Sequence, residues 1–195
     1  MKSTERKMDM LEIAAICGSL RKDSFNKKLL EAVERESKGK WKIKFVEINR
    51  LPLFNEDIEK GGDPEEVAIF KEKLKGADGT LIITPEYNSG MPGGLKNALD
   101  WASRPVQDSV FKNTPAAVAG ASPGRAGTAL AQMQLRQTLV AMEANVMSGP
   151  KVLVGEVHKI IDSETNQITD PRTLSNLQSL IHGFTAFVEM YQKEQ

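Results

Sequence analysis

Apolar and polar positions alternate in blocks along the chain, and the blocks read as strand, helix, strand, helix from one end to the other. Ile13-Ala14-Ala15-Ile16-Cys17 is an apolar run of strand length that stops at Gly18. After a polar stretch, Phe25, Leu29, Leu30 and Val33 recur at helical spacing. Trp41 to Ile48 alternates and predicts a second strand, nearer an edge than the first. Leu51 to Asp57 predicts an extended loop, because a proline pushes the residue before it out of helix. Gly61-Gly62-Asp63-Pro64 interrupts the chain before a helix over Glu65 to Lys75, carrying Val67, Ile69, Phe70 and Leu74. Asp78 to Thr84 is a short apolar run of the kind buried on both faces of a parallel sheet. Helices over Leu95 to Ser103 and Thr128 to Ala144 then flank a fourth strand, Thr114 to Ala121. Lys151 to Val154 is a weaker fifth strand, and the helix Leu174 to Tyr191 closes the chain with one stripe of Leu177, Leu180, Ile181, Phe184 and Val188.

Strands alternating with helices imply right-handed crossovers and an α/β fold: an open, doubly wound, five-stranded parallel sheet with helices on both faces. Ligands of such sheets bind outside the carboxyl ends of the strands, where the strand order reverses. Three loops leave carboxyl ends with unusual chemistry: Ser19 to Asn26, Pro85 to Gly94 and Ser122 to Gly127. They are expected to build one site. The 195 residues suit a single domain, with residues 1–10 as a loose extension.

The first loop offers Ser19, Arg21, Ser24 and Asn26 at the start of a helix, where unpaired N–H groups and the positive end of the helix dipole favour an anion. No lysine-bearing triphosphate loop and no G-x-G-x-x-G is present, so a single monophosphate suits it better. The alternative is a polar turn in which Ser24 only caps the helix. Asp23 is compatible with an anion only if it points to solvent.

Lysine plus arginine and aspartate plus glutamate both number 26, so nothing steers the chain toward nucleic acid or an anionic membrane. No segment approaches a membrane span, and the single Cys17 precludes an internal disulfide and a cysteine-built metal site. A cytoplasmic protein is expected, with Cys17 a buried structural thiol. His158 and His182 fall late, outside the three loops, and Met133 and Met142 read as core fillers. Lys96 and Asp100, four apart, read as an exposed helical ion pair.

The second loop has a stiff start, small residues and one aromatic, Tyr87, so its backbone can approach the edge of a flat ring. Ser122-Pro123-Gly124 adds a hydroxyl and open backbone. A planar heterocycle joined to a monophosphate describes FMN.

These residues also carry a family resemblance. Gly18-Ser19-Leu20-Arg21 with Ser24 and Asn26, Leu51 to Asp57, and Pro85-Glu86-Tyr87-Asn88 followed by Pro92 to Trp101 resemble the NADPH-dependent FMN reductase family, which includes bacterial quinone, chromate and azo-dye reductases. The resemblance runs from about Leu11 through Leu139. It implies a flavodoxin-like homodimer or homotetramer. Ser19, Arg21, Ser24, Phe25 and Asn26 would surround the FMN phosphate, Pro85, Glu86, Tyr87 and Asn88 would line the ring, and Ser122 would be a further contact. Trp101 and the Leu51 to Asp57 loop would lie at or near a subunit interface. Glu86 reads as a structural carboxylate or a backbone donor rather than an acid catalyst. The family usually has a tyrosine at Phe54, a serine at Gly90, and a glycine and an arginine near Thr128 and Leu130.

The implied activity passes hydride from NADPH or NADH through bound FMN to a small acceptor such as a quinone, an azo compound, chromate or free flavin, by ping-pong kinetics. No protein nucleophile or general base is then required. A flavodoxin-type electron carrier and a non-catalytic flavin-binding module are the rival readings. Carriers tend to be strongly acidic, whereas the formal charge here is zero.

Overall fold

The computed structural model describes residues 10–193, so residues 1–9 of the expected N-terminal extension lie outside the described residues. The sheet contains β1 (Leu11–Cys17), β2 (Trp41–Val46), β3 (Gly79–Ile83), β4 (Pro115–Ala121), β5 (Asn145–Val146) and β6 (Val152–Val154). Its order is β2-β1-β3-β4-β5, with β6 also on β4 and every pairing parallel. This is the flavodoxin-like order, and its reversal falls between β1 and β3.

Six strands replace the five expected. β3 occupies one side of β4, so β5 and β6 share the other: β5 opposite Pro115 and Ala116, β6 opposite Ala119 to Ala121. One lane of the sheet is therefore carried in two pieces. Between them lies Ser148-Gly149-Pro150, whose proline has no N–H to give to a ladder. Asn145–Val146 is too short to show any alternation, which is why only the second piece was legible in the sequence.

The helices are α1 (Phe25–Glu36), α2 (Glu56–Glu59), α3 (Glu65–Lys75), α4 (Gly93–Ala102), α5 (Ala129–Ala141) and α6 (Pro171–Gln192). Because side chains alternate across a strand, each central strand feeds two cores. Ile13, Ala15, Leu81 and Ile83 meet Leu29 and Val33 of α1 and Leu180 and Phe184 of α6, while Ala14, Ile16, Ile82 and Val118 meet Phe70 of α3, Leu95 and Leu99 of α4 and Leu135 of α5.

Three expectations need correcting. Glu56 and Asp57 are not extended: the Asn55 side chain accepts the Asp57 N–H at 2.9 Å and starts α2, which buries no residue and so leaves no apolar period. The closing helix starts three residues early, at Pro171, with Asp170 accepting from Thr173 N–H at 2.8 Å. Met133 is not a core filler but 67% exposed, whereas Met142 is buried.

Candidate functional site

Gly18 ends β1 by donating its N–H to Ile83 O on β3 at 2.8 Å, so the first loop leaves the sheet beside the third strand. A side chain at Gly18 would meet Leu95, Pro85 and Thr84 at 3.0–3.4 Å, which is how closely the loop abuts the start of the second one. Ser24 then caps α1, its hydroxyl accepting from Asn26 N–H at 3.1 Å. The N–H groups of Phe25 and Lys27 have no partner among the described residues. Ser19 and Ser24 are buried, and the Arg21 guanidinium is exposed. Asp23 points to solvent and pairs with Lys28, whose ammonium beside it holds the carboxyl below the ordinary aspartate range. The one acidic side chain of the loop is thereby neutralised away from the donors.

Asn26 does a different job. Its side-chain amide donates to Ala121 O and its amide oxygen accepts from Ala121 N–H, both at 2.9 Å and both buried. It ties the first loop to the end of β4. Ser122 follows directly, its N–H donating to Val154 O at 2.9 Å and its hydroxyl accepting from Gly124 N–H at 3.1 Å.

The second loop begins at Thr84, whose N–H donates to Ala119 O at 3.0 Å. Tyr87 and Gly90 exchange both backbone hydrogen bonds at 3.0 Å around Asn88 and Ser89, which sit at φ 49° and 62°. This is a two-residue hairpin held in the left-handed region without glycine at either tip position, a conformation that neighbouring structure must support. Tyr87, Asn88 and Ser89 are exposed, and Pro85 is buried. The Glu86 carboxylate accepts from Leu130 N–H at 2.9 Å and Ala131 N–H at 3.0 Å, capping α5, whose own start has no side-chain cap. Glu86 is a structural carboxylate, and what it offers a ligand is its backbone.

The three loops thus meet at one edge of the sheet. Donors cluster around the first, an exposed hairpin forms the second, and open backbone flanks both: no atom would lie within 4 Å of a side chain at Gly93, the first residue of α4. The site is chemically suited to a group that is anionic at one end and flat at the other. A sequence profile of the NADPH-dependent FMN reductase family matches residues 11–159. The chain belongs to that family.

Members similar to this chain include a 2-hydroxy-1,4-benzoquinone reductase of a Burkholderia species, 41% identical over 178 residues covering 91% of this chain and 96% of that one. An NAD(P)H-dependent FMN reductase of Pseudomonas aeruginosa is 42% identical over 163 residues, covering 83% and 87%. Among solved structures, the flavoenzyme NAD(P)H:(acceptor) oxidoreductase FerB of Paracoccus denitrificans superposes with a TM-score of 0.86 at 36% identity, covering 93% of this chain and 99% of that one. As a member of this family the protein is an FMN-dependent NAD(P)H oxidoreductase. No helix among the described residues is long and apolar enough to cross a membrane.

Several contacts that shape this site gave no signal in the sequence. Thr128 is buried beside Gly120, and Gln132 donates from its side chain to Thr128 Oγ1 at 3.0 Å and to Val152 O at 2.9 Å. The segment after β6 shapes the third loop: Glu156 N–H donates to Gly124 O at 3.1 Å and Val157 N–H to Ser122 O at 3.2 Å. That contact also brings exposed His158 closer to the loops than its place in the chain suggests. Trp101 is fully buried, donating to Pro52 O at 2.8 Å and meeting Phe54 edge-on at 5.0 Å, with Arg104 over the other ring. Trp101 therefore holds the Leu51 to Asn55 loop from beneath, and Leu53, 81% exposed, is what that loop presents outward.

A cleft of about 440 Å³ lies on the other side of β1, between α1 and β2, and borders Ser19 and Leu20. Its rim carries Glu31, Glu34 and Glu47 against Lys27 alone, which is the wrong charge for a phosphate. Cys17 lines it, and burial pushes that thiol up, away from the reactive thiolate.

Proposed function

We propose that the three loops hold FMN, with its phosphate in the Ser19, Arg21, Ser24, Phe25 and Asn26 turn and the rim of its ring along Pro85, Glu86, Tyr87 and Asn88, Ser122 adding a contact between them. The observation that carries this is the locking of the three loops to one another, at the strand-order reversal, around unpaired amides and buried hydroxyls. Ser19, Ser24 and the Phe25 and Lys27 amides donate to phosphate oxygens, and Arg21 closes over them from the solvent side. Asn26 serves by bracing the turn rather than by touching the phosphate. Bound FMN supplies hydride acceptance and release at its ring. The hairpin backbone orients that ring, and exposed Tyr87 borders the open face where donor and acceptor take turns.

The acceptor we assign is a quinone-like small molecule. Relatives named quinone reductase in Burkholderia and in Pseudomonas putida, the latter 36% identical over 178 residues, favour it. Anaerobic stopped flow tests the reading. NADPH should bleach the yellow protein, and benzoquinone added afterwards should restore the colour in a separate phase, with parallel lines in double-reciprocal plots. A protein reduced by NADPH but reoxidised only by another protein would instead be a carrier.

Arg21→Ala should weaken FMN binding about 10- to 150-fold, the loss of charge-assisted hydrogen bonds worth about 1.5–3 kcal/mol. Because Arg21 is exposed, the melting temperature of the flavin-free protein should stay unchanged. Fluorescence titration with FMN measures the first, and loss of stability without loss of affinity would contradict the role.

A homodimer or homotetramer is part of the proposal. The outer side of α5 presents Leu130, Met133 and Val140, exposed by 47%, 67% and 63%, and Leu53 stands out from its loop. Solvent-facing apolar side chains repeating along one helix suit a second copy of the chain. Met133→Glu should lower the mass measured by light scattering; an unchanged mass would place the contact elsewhere.

A further inference from the structure

Helix α5 grips the Tyr87–Gly90 hairpin at both ends. At one end, the Glu86 carboxylate accepts from Leu130 and Ala131 N–H. At the other, Gln134 Oε1 accepts from Met91 N–H at 2.8 Å. Leu130 and Gln134 are one helical turn apart, so the two grips are separated by a single turn of α5. A side chain at Gly90 would come within 2.8 Å of Gln134 Oε1, so the glutamine lies across the residue that closes the hairpin. Asn88 and Ser89 need this support, since neither is a glycine and both are left-handed.

We propose that Gln134 is a positioning residue of the acceptor site: it fixes the attitude of the hairpin and so sets the slot that Tyr87 borders. This rests on the placement of the flavin ring along the same hairpin. Gln134 touches no reactant. Its carbonyl oxygen holds the Met91 amide, Met91 itself is anchored in the core with Leu95 and Leu99, and the hairpin is held on both sides. Gly90 and Gln134 form a matched pair, because a larger residue at 90 requires the glutamine to leave.

Three variants test it. Gln134→Leu keeps the bulk and removes the acceptor, Gln134→Glu keeps the acceptor, and Gly90→Ser displaces the side chain. In Gln134→Leu and in Gly90→Ser, hydrogen exchange at the Met91 amide should speed up about 2- to 10-fold, the worth of one hydrogen bond, and the KM for benzoquinone should rise several-fold. The limiting rate of flavin reduction at saturating NADPH should change by less than about twofold, because the residue acts through position alone, while the KM for NADPH, which takes the same open face, should rise along with that for benzoquinone. Gln134→Glu should restore slow exchange and low KM. Adding Gln134→Leu to Gly90→Ser should cost less than the sum of the two changes made singly. If Gln134→Leu leaves Met91 exchange and the quinone KM as in the unmodified protein, the inference falls and the flavin reading stands. If the unmodified protein binds no FMN, the flavin reading falls first and takes this inference with it.

Discussion

Gly120→Ala should strip the protein of flavin and lower its melting temperature by about 2–12 °C. The added carbon would sit 2.2 Å from Thr128 Oγ1 and 2.3 Å from Thr84 O. Thr128 could turn, but Thr84 O is backbone and belongs to the residue that launches the second loop, so the sheet or the loop must move. Overpacking of this kind costs about 1–3 kcal/mol and occasionally more, and a chain of this size melts about 2–4 °C lower per kcal/mol lost. Calorimetry and the ratio of flavin to protein absorbance measure the two effects together. Gly93→Ala is the control: nothing would lie within 4 Å of its new carbon, so the fold should keep its melting temperature. A Gly120→Ala protein that melts within about 2 °C of the original would mean that β4, Thr84 and Thr128 are not packed as described.

Asn26→Leu should be more damaging still, for a different reason. Leucine fills the space but leaves both Ala121 N–H and Ala121 O buried without partners, at about 1–3 kcal/mol each. The stability loss should therefore reach about 2–6 kcal/mol. FMN affinity should fall with it, since the donor-bearing turn is no longer braced against β4. Ser24→Ala, which removes only the helix cap, should cost about 1 kcal/mol. Chemical denaturation of the flavin-free forms ranks the three proteins. Equal losses for Asn26→Leu and Ser24→Ala would reduce Asn26 to a local helix-start residue.

These two residues also mark where the sequence stops being readable. The apolar runs of β1, β3 and β4 announce themselves because a strand covered on both faces must be apolar throughout. The donors of the first loop are legible because they crowd into a few residues before a periodic helix. Asn26 stands out in the sequence as a donor of the first loop, yet its partner Ala121 lies 95 positions away and offers only backbone, which no side-chain pattern reveals. Glu86 reaches 44 positions to cap α5. Gly120 is one small residue in an alanine-rich strand until Thr84 and Thr128 are placed over it.

Helix α5 shows a second limit. Apolar residues circle it, with Ala131, Leu135 and Leu139 buried and Leu130, Met133 and Val140 outward, so its periodicity could not say which side faces the core. The same ambiguity makes Met133 read as filler, although it is exposed. Glu56 to Glu59 buries nothing and exists because Asn55 caps it, a local hydrogen bond rather than a hydrophobic pattern.

A crystal structure of the protein purified with its flavin is the most direct trial of the whole account. The phosphate should lie within hydrogen-bonding reach of Ser19, Arg21, Ser24 and the Phe25 and Lys27 amides, and the ring should run along Pro85 to Asn88 with one face open beside Tyr87. Flavin density in the carboxylate-rimmed cleft between α1 and β2, with the three loops bare, would contradict it.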